Sequence, residues 1–484
     1  MFKSLAKDTL IYGGGDLVLK IIAFVTFPII ASALSPKAFG VLELLGTSTA
    51  LLGLLMNCGL NNAVQRYYWD EETDLLSRPV IVSSGFVILC FFGLFIGGVT
   101  LVVGGPLFPH WVQKWALPVG NVAFVSSIGL MFSGQLLQYV MDVLRLHFAP
   151  FKFLLLSFLY RILGLFLGIF VLIRLKKGID GFLFVQMIVA YLVLPFGLWL
   201  IRKDITRKFD LHIWGKRLVI FGYPFIFAGM AYWLFGSMDR WMLAAMASVE
   251  ETGIYSVAFR FSSIVLFVNM AFSQAWTPYA IKIKTEHPET YRTFYVHILL
   301  IILFCMLIVG GGMALFSGEL IGLFMPDDYV GSALPLSILC LGIVLQSTQQ
   351  ITALGIALEK KTFLFSRVAW LATFFNFLAN WLLIPRFGAA GAAWATCISH
   401  FILTLGYLFF TQKLHPLPIP WGRLGWLLFW GGFVFFVAFR FNSDEWHWRT
   451  VSLKILFAFC CLLLGVPVLG VRIKNWKFVK EKEK

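Results

Sequence analysis

The residues with the clearest capacity for chemistry are charged side chains embedded in long apolar stretches of the sequence. Six of them lie well inside such stretches: Asp16, Lys20, Arg161, Asp239, Arg240 and Arg260. An ionisable group near the middle of a bilayer costs at least ~2.5–3.5 kcal/mol, so it usually faces a partner or a water-filled cavity. Because four cations accompany two carboxylates, an interior lined by these side chains has net positive charge and suits an anion.

The four cations, Lys20, Arg161, Arg240 and Arg260, are the candidate residues for binding that anion. Guanidinium groups bind phosphate through paired, charge-assisted hydrogen bonds, which favours a phosphorylated ligand. We expect Lys20, Arg240 and Arg260 to face a solvated space between two halves of the protein.

The two carboxylates, Asp16 and Asp239, have roles that the sequence leaves open. Asp16 and Lys20 lie four residues apart on one helix face, a spacing that suits an ion pair within the helix. Asp239 could pair with Arg260 as a structural lock between helices, and either carboxylate could instead bind a coupling cation. Lys454 lies near the end of a span, from which its long side chain can reach the interface, so we assign it no role.

Composition places these charges in a membrane protein. Hydrophobic residues make up 60% of the 484 residues, charged residues make up 13%, and mean hydropathy is +0.85, whereas soluble domains contain roughly a quarter charged residues. Apolar runs that could cross a hydrocarbon core recur about fourteen times, which predicts an all-α polytopic membrane protein. The connections are too short for a soluble catalytic domain, and no nucleotide or nucleophile motif is found, so we expect neither an enzyme nor a cofactor.

Two weak internal echoes indicate that the spans form two copies of one bundle. The heptad at 34–40 is matched 213 residues later by 247–253, and the segment 178–181 is matched by 388–391 at an offset of 210. Duplicated bundles are typical of transporters that rock one half against the other around a central site. We predict six-helix lobes at 1–210 and 211–415, related by a pseudo-twofold axis, and a terminal helix pair with a basic tail at 416–484.

The two matched heptads also contain helix-start signals. Ser35 precedes Pro36, which combines a capping hydroxyl with the residue that favours the first helical position. Ser248 and Glu251 have the spacing of a capping box. Different residues therefore begin helices at corresponding places in the two copies.

Basic residues are concentrated in alternate connections, and this asymmetry sets the predicted orientation. The basic side includes the cluster between Arg202 and Arg217 and the tail from Arg472 to Lys484. The positive-inside rule then predicts a multi-pass protein of the cell inner (cytoplasmic) membrane, with both termini in the cytoplasm. The formal net charge of +15 comes largely from basic residues that lie next to anionic lipid headgroups on that side, so it does not indicate a nucleic-acid partner.

The seven cysteines lack metal-ligand spacing, so we expect reduced packing residues and no metal.

Several short motifs, in order along the chain, resemble those of one transporter family. They are Asp8-Thr-Leu-Ile-Tyr-Gly13, Leu34-Ser-Pro-Lys-Ala-Phe-Gly40, Gln65-Arg-Tyr-Tyr68, Asp239-Arg240, Gly253-Ile-Tyr255 and Gly388-Ala-Ala-Gly-Ala-Ala393. Together they resemble the Wzx-like polysaccharide and O-antigen flippases of the multidrug/oligosaccharidyl-lipid/polysaccharide (MOP) exporter superfamily, over essentially the whole chain.

This resemblance implies a flippase that moves an undecaprenyl-diphosphate-linked oligosaccharide from the inner to the outer leaflet of the cytoplasmic membrane. Alternating access of the two lobes would be driven by a gradient, because the sequence has no ATP site. The implied partners are the lipid-linked oligosaccharide, membrane lipids, an H⁺ or Na⁺ coupling ion and glycan-assembly proteins. If this is right, Arg240→Ala or Arg260→Ala should abolish transport and leave membrane insertion intact.

Three other functions remain to be weighed against the flippase. A multidrug/cation antiporter of the same superfamily should favour interior carboxylates, and the basic excess argues against it. A lipid II flippase has cargo of similar charge, and the interior charge does not separate it from the first hypothesis. A polytopic glycan polymerase or ligase would need a large outer loop, whereas every outer connection here is short.

Overall fold

The computed structural model describes residues 2–70, 74, 77–359, 361, 363–440 and 448–465, although some side chains within helices, that of Asp16 among them, lie outside the described part. Among these residues all regular secondary structure is helical, and turns and irregular segments connect the helices. It divides into two compact units, Met1–Trp241 and Met242–Lys484. The prediction of an all-helical protein is confirmed.

The described residues of the first unit form nine α-helices, the last of which continues into the second unit, and two π-helical turns. The helices are α1 (Phe2–Ser32), α2 (Pro36–Asn57), α3 (Leu60–Tyr68), α4 (Arg78–Lys114), α5 (Asn121–Leu146), α6 (Pro150–Ser157), α7 (Gly164–Ile173), α8 (Gly178–Leu200) and α9 (Lys216–Met246). The π-helical turns are Phe158–Leu163, between α6 and α7, and Leu211–Gly215, before α9.

In the part of the second unit that the structure describes there are nine further helices and one 3₁₀ turn, Asp327–Ser332. These helices are α10 (Val249–Glu286), α11 (Tyr291–Leu315), α12 (Ser317–Phe324), α13 (Ala333–Ser347), α14 (Gln349–Thr352), α15 (Leu354–Leu358), α16 (Phe363–Leu414), α17 (Trp421–Arg440) and α18 (Trp448–Gly465).

Twelve helical stretches among the described residues are long and apolar enough to cross a membrane, two fewer than the predicted fourteen. One of the twelve, α16, has 52 residues, about 78 Å of helix, which is far more than one span needs. Its backbone leaves the helical region at Gly388, with φ 51° and ψ −129°. The last helix, α18, has 18 residues and is not among the twelve. The predicted fourteen therefore corresponds to splitting α16 at Gly388 and adding α18.

The helix α5 forms the core of the first unit. Its buried face contains Leu137, Val140, Met141 and Leu144, which belong to one apolar cluster with residues of α2, α4 and α8. Tyr139 on the same helix is buried and donates to the carbonyl of Val82 at 2.7 Å. This packing holds α5 in one orientation, so its polar residues face a fixed direction.

Contacts with α2 tie α9 to the first unit. Trp233 and Trp241 donate their indole N–H groups to the Thr47 carbonyl and hydroxyl at 2.9 and 3.2 Å. At Gly59 and Gly222 the two backbones touch, and a Cβ on either residue would overlap the other chain segment. The predicted lobe boundaries at 210 and 415 come from the internal sequence echoes. The contacts described here do not test these boundaries, which stay a prediction.

Both predicted helix starts are present, and the Glu251 carboxylate of the second makes an additional contact. Ser35 accepts from the Ala38 N–H at 3.3 Å, and Ser248 accepts from the Glu251 N–H at 3.1 Å. The Glu251 carboxylate reaches across the second unit and accepts from the Ala389 N–H at 2.6 Å, at the break beside Gly388. The capping spacing thus also places a carboxylate at the start of the second half of α16.

Each unit has a histidine–carboxylate contact at corresponding helix ends. In the first unit His147 Nε2 lies 3.0 Å from Asp204 Oδ1 and 3.2 Å from the Tyr68 hydroxyl. In the second unit His415 Nδ1 lies 3.3 Å from Glu359 Oε1, and Nε2 lies 2.8 Å from the Tyr291 hydroxyl. The offsets, 212 from His147 to Glu359 and 211 from Asp204 to His415, lie within the range of the sequence echoes. The histidine and the carboxylate have exchanged places between the units.

This arrangement predicts that acid destabilises the second unit. His415 is buried, and burial lowers its pKa despite the opposing effect of Glu359; Arg292 and Lys284 lower the pKa further. The unfolded histidine titrates near ~6.5 and binds protons that the folded form resists, so stability is full above that pH and is lost as the pH falls through it. The thermal unfolding temperature of the purified protein should therefore drop between pH 7.5 and 5.5.

The matched variants for this experiment are His415→Gln, which keeps a donor and an acceptor without the titration, and His212→Gln at an exposed position. His415→Gln should reduce the drop in unfolding temperature, whereas His212→Gln should leave it unchanged. Equal drops in all three proteins would contradict the role of His415.

Candidate cationic pocket

A cavity of about 410 Å³ in the first unit brings together two of the predicted cations, Lys20 and Arg161, with a third, Arg145. Tyr160 and Gln186 add polar groups to its wall. The remaining lining is mainly apolar: Leu19, Ile22, Ala23, Leu130, Ile162, Gly164 and Leu165. We call this cavity, with Lys20, Arg145, Arg161, Tyr160 and Gln186, the cationic pocket. Its apolar walls and few polar groups are the usual composition of a ligand site.

A π-helical turn positions Arg161 at the pocket. The turn Phe158–Leu163 interrupts the span that runs from Pro150 to Ile173, and such turns inside α-helices are often found at functional sites. Arg161 lies eleven residues past Pro150, about 16 Å along the helix and near the middle of a ~30 Å hydrocarbon core. A guanidinium at this depth requires a polar surrounding, which the pocket provides.

A chain of hydrogen bonds along α5 links two of the pocket arginines. Arg161 Nη2 donates to Gln138 Oε1 at 3.4 Å, and Gln138 Nε2 donates to Asp142 Oδ1 at 3.0 Å. Arg145 Nη1 donates to the same Asp142 oxygen at 3.3 Å, and its guanidinium lies 4.5 Å from the centre of the Phe153 ring. One carboxylate therefore orients both arginines, directly for Arg145 and through an amide for Arg161.

The sequence analysis did not predict Arg145 and Asp142. Both lie in the last turns of a span, where charged residues are ordinary, so neither interrupts an apolar stretch as Lys20 and Arg161 do. The spacing of Gln138, Asp142 and Arg145, with steps of four and three residues, places all three on one face of α5. That polar stripe on an otherwise apolar helix is the signal that could have revealed them.

Arg240 and Asp239 lie elsewhere in the first unit, in a closed ionic cluster. Arg240 Nε is 3.8 Å from Glu43 Oε2, and its Nη1 is 3.4 Å from Asp239 Oδ1 and 2.8 Å from the Gly236 carbonyl oxygen. The side chains of Arg240 and Asp239 are each 6% exposed. This placement differs from the expectation that Arg240 faces a solvated space, because two carboxylates and a carbonyl surround its guanidinium. Glu43 was not among the predicted residues.

The other predicted residues are placed as follows. Arg260 lies on α10 in the second unit and is half-buried, and its carbonyl accepts from the Ser263 hydroxyl at 2.5 Å. Lys20 is exposed to the pocket on α1. The side chain of Asp16 is outside the described part of the structure, so its predicted pairing with Lys20 stays a prediction.

The interpretation of Lys454 as an interface residue is wrong. Its amine lies 2.6 Å from Glu319 Oε1, and the two side chains are only 4% and 2% exposed. Glu319 comes from α12, which is distant in sequence, so the partner of Lys454 is not visible from the apolar run that contains it. The pair connects α18 to α12 within the second unit.

Comparison with known proteins places this fold and its charges in a family. The profile of the family described as "Polysaccharide biosynthesis protein" matches residues 5–284, more than half of the chain and most of the helices described above for the first unit. The chain belongs to the polysaccharide biosynthesis protein family. The family assignment from the short motifs is confirmed at this level.

Two curated proteins are similar in sequence. The chain is 20% identical over 278 residues to "Lsg locus putative protein 1" of Haemophilus influenzae, covering 56% of this chain and 65% of that protein. It is 24% identical over 271 residues to an uncharacterized membrane protein of Methanocaldococcus jannaschii, covering 52% and 62%. The chain thus spans just under two thirds of the length of the curated relatives that it matches.

Solved structures share the fold. The lipid II flippase MurJ in its inward closed conformation superposes with a TM-score of 0.72 at 14% identity, covering 95% of this chain and 98% of that one. An inward-facing multidrug resistance MATE family transporter of the MOP superfamily superposes with a TM-score of 0.59 at 14% identity, covering 85% and 98%. The chain is thus a polysaccharide biosynthesis protein by family and shares its fold with these transporters, and its long apolar helices fit a multi-pass membrane protein.

Proposed function

We propose that the protein translocates an undecaprenyl-diphosphate-linked oligosaccharide from the inner to the outer leaflet of the cytoplasmic membrane. The observation that carries the proposal is the cationic pocket, which holds Lys20, Arg145 and Arg161 in one cavity of a membrane-embedded unit. The family match supports a role in polysaccharide biosynthesis, in which a sugar chain assembled on a lipid must cross the membrane.

The charge of the pocket fits the diphosphate of such a lipid. A diphosphate diester has two negative charges, while the three pocket cations and the adjacent Asp142 leave two positive charges. Arginine presents paired donors to phosphate oxygens, and each charge-assisted hydrogen bond is stronger where water is excluded. A cavity of about 410 Å³ is at the small end of ligand sites, so it suits the diphosphate and an adjoining sugar better than a whole oligosaccharide.

The depths of two of the pocket cations, Arg145 and Arg161, indicate a route for the phosphates. Arg145 is next to the end of its span at Leu146, whereas Arg161 lies near mid-membrane. If both termini are cytoplasmic, as the distribution of basic residues predicts, Arg145 is at the inner boundary and the phosphates pass from it toward Arg161. Besides Arg145, five arginines lie over aromatic rings at the predicted inner ends of spans, as interfacial anchors do: Arg78 on Tyr68, Arg202 on Trp199, Arg217 on Trp214, Arg292 on Tyr291 and Arg367 on Phe363.

Alternating access of the predicted lobes, 1–210 and 211–415, would complete the crossing, with a gradient of H⁺ or Na⁺ as the energy source. Asp239 contacts Arg240, which favours a structural role for this carboxylate over binding of a coupling cation. Asp16 keeps both predicted roles.

A second candidate is a flippase for lipid II, which the superposition on the lipid II flippase MurJ favours. A polyprenyl diphosphate bearing a sugar would engage the pocket in the same way whatever follows the first sugar. A multidrug/cation antiporter is disfavoured, because the three pocket cations would repel its cargo.

Reconstitution in liposomes tests the proposal directly. The purified protein should accelerate the appearance of a fluorescent diphosphate-linked oligosaccharide lipid in the opposite leaflet, measured by quenching with a membrane-impermeant reductant. Lipid II is assayed beside it, and a polyprenyl alcohol bearing the same sugars without phosphate is the control cargo. Equal rates for the diphosphate lipid and the neutral control, or faster movement of lipid II, would contradict the proposed substrate.

A further inference from the structure

Asp142 lies behind the wall of the cationic pocket. It does not line the cavity, yet its Oδ1 atom accepts from Arg145 Nη1 at 3.3 Å and from Gln138 Nε2 at 3.0 Å. Gln138 in turn accepts from Arg161 at 3.4 Å. The carboxylate determines the orientation of the Gln138 amide, because only the NH₂ end can donate to it, and this turns the Gln138 oxygen toward Arg161.

We propose that Asp142 is the resident counter-ion of the cationic pocket, and that the anionic group of the cargo displaces it by taking over Arg145 and Arg161. Asp142 is thus a positioning residue that acts through the two arginines. The inference rests on the proposed function, since it requires a diphosphate in the pocket, and it adds the regulation of that binding.

The first consequence concerns affinity. Arg145 donates a hydrogen bond to Asp142 and Arg161 donates one to Gln138, so an incoming phosphate must compete for their donors. Competition limits affinity and allows release, which a transporter needs. An amide in place of the carboxylate keeps the shape but removes the negative charge. Asp142→Asn should therefore bind a diphosphate about tenfold more tightly, the effect of ~1.4 kcal/mol of charge interaction, and should turn over more slowly.

The second consequence concerns protons. When a dianion occupies the arginines, the displaced carboxylate faces like charge and has lost its partner, and both changes favour its neutral form. Binding should then be accompanied by uptake of a proton by Asp142. The titratable and charged groups beside it on its own helix are Arg145 and Tyr139. Those in the lining of the pocket are Arg161 and Tyr160 on the π-helical turn and Lys20 on α1. Tyr139 already donates to a backbone carbonyl.

Isothermal titration calorimetry of the full chain in detergent counts these protons. The probe is a P¹,P²-dialkyl diphosphate, a diester that does not itself titrate between pH 6 and 8. Heats measured in two buffers of different ionisation enthalpy give the protons taken up per bound probe. The wild type should take up a fraction of a proton, up to one, and bind more tightly at pH 6 than at pH 8. Asp142→Asn should take up none and bind with an affinity that does not depend on pH.

Two matched variants complete the design. Asp180→Asn changes another carboxylate of the first unit, one that accepts from Gly120 and Ala123 N–H groups and lies away from the pocket, and it should behave as the wild type does. Asp142→Glu retains the charge and should retain proton uptake, which separates charge from folding.

The possible outcomes separate the two proposals. Binding to the wild type without proton uptake, or uptake that persists in Asp142→Asn, overturns the role of Asp142 and leaves the proposed function standing. A wild-type protein that does not bind the diester at all contradicts the proposed function, and this inference with it. If Asp142→Asn does not fold, the proton count of the wild type and of Asp180→Asn and Asp142→Glu still decides the question.

Discussion

Replacement of Arg161 by alanine is expected to abolish transport while the amount of protein in the membrane stays near that of the wild type. Arg161 is exposed to the pocket and gives a single long hydrogen bond, at 3.4 Å, to Gln138. Its removal leaves no buried charge unpaired, so the cost to folding is small. A diphosphate would lose a paired, charge-assisted contact of roughly 1.5–3 kcal/mol per bond, which lowers binding by about 10- to 100-fold or more.

The accompanying variants make this result specific to phosphate binding. Arg161→Lys should recover only part of the activity, because an ammonium retains the charge but not the two-pronged donor geometry. Arg174→Ala, at the exposed end of the same span, removes an arginine away from the pocket and should transport normally. The measurement is surface glycan in a strain lacking the native protein, normalised to expression. Wild-type glycan levels from Arg161→Ala would show that the pocket does not hold the phosphates.

The sequence predicted the parts of this site that a charge in an apolar run makes visible. Lys20 and Arg161 could be chosen because each interrupts a long hydrophobic stretch, and the cost of such a charge requires a reason for its presence. That they meet in one cavity depends on how α1 packs against the span containing Arg161, for which one sequence gives no signal. The π-helical turn that holds Arg161 is equally invisible, since no residue type identifies it.

The residues that were not predicted are those whose partners depend on tertiary structure and not on local sequence. Arg145 and Asp142 are close to a span end, where charges are ordinary, and only the fixed orientation of α5 directs them to the pocket. Lys454 was dismissed for the same reason, and its partner Glu319 comes from a different helix. Composition and hydropathy were enough for the all-helical membrane fold, because the bilayer allows few alternatives to a spanning helix. The partners of individual charges depend on contacts between helices.

Arg240→Ala should lower the amount of folded protein severely, in contrast to Arg161→Ala. From the sequence alone we expected this change to abolish transport with insertion intact. In the structure the guanidinium contacts both Glu43 and Asp239, whose side chains are 12% and 6% exposed. Removing this cation takes away contacts that both buried carboxylates make, a loss of about 3–5 kcal/mol, comparable with much of the stability of a folded domain.

The amount of monodisperse protein extracted in mild detergent and its unfolding temperature measure this loss, with Arg174→Ala as the matched arginine control. Neutralising the partners as well should restore folding in part, because a buried ion cluster can be replaced by apolar residues of similar size with little cost. The triple variant Glu43→Leu, Asp239→Leu and Arg240→Met should therefore be recovered in larger amounts than Arg240→Ala. If Arg240→Ala folds normally and only transport is lost, Arg240 contacts the cargo, as the sequence first suggested, and the closed cluster is one of its two states.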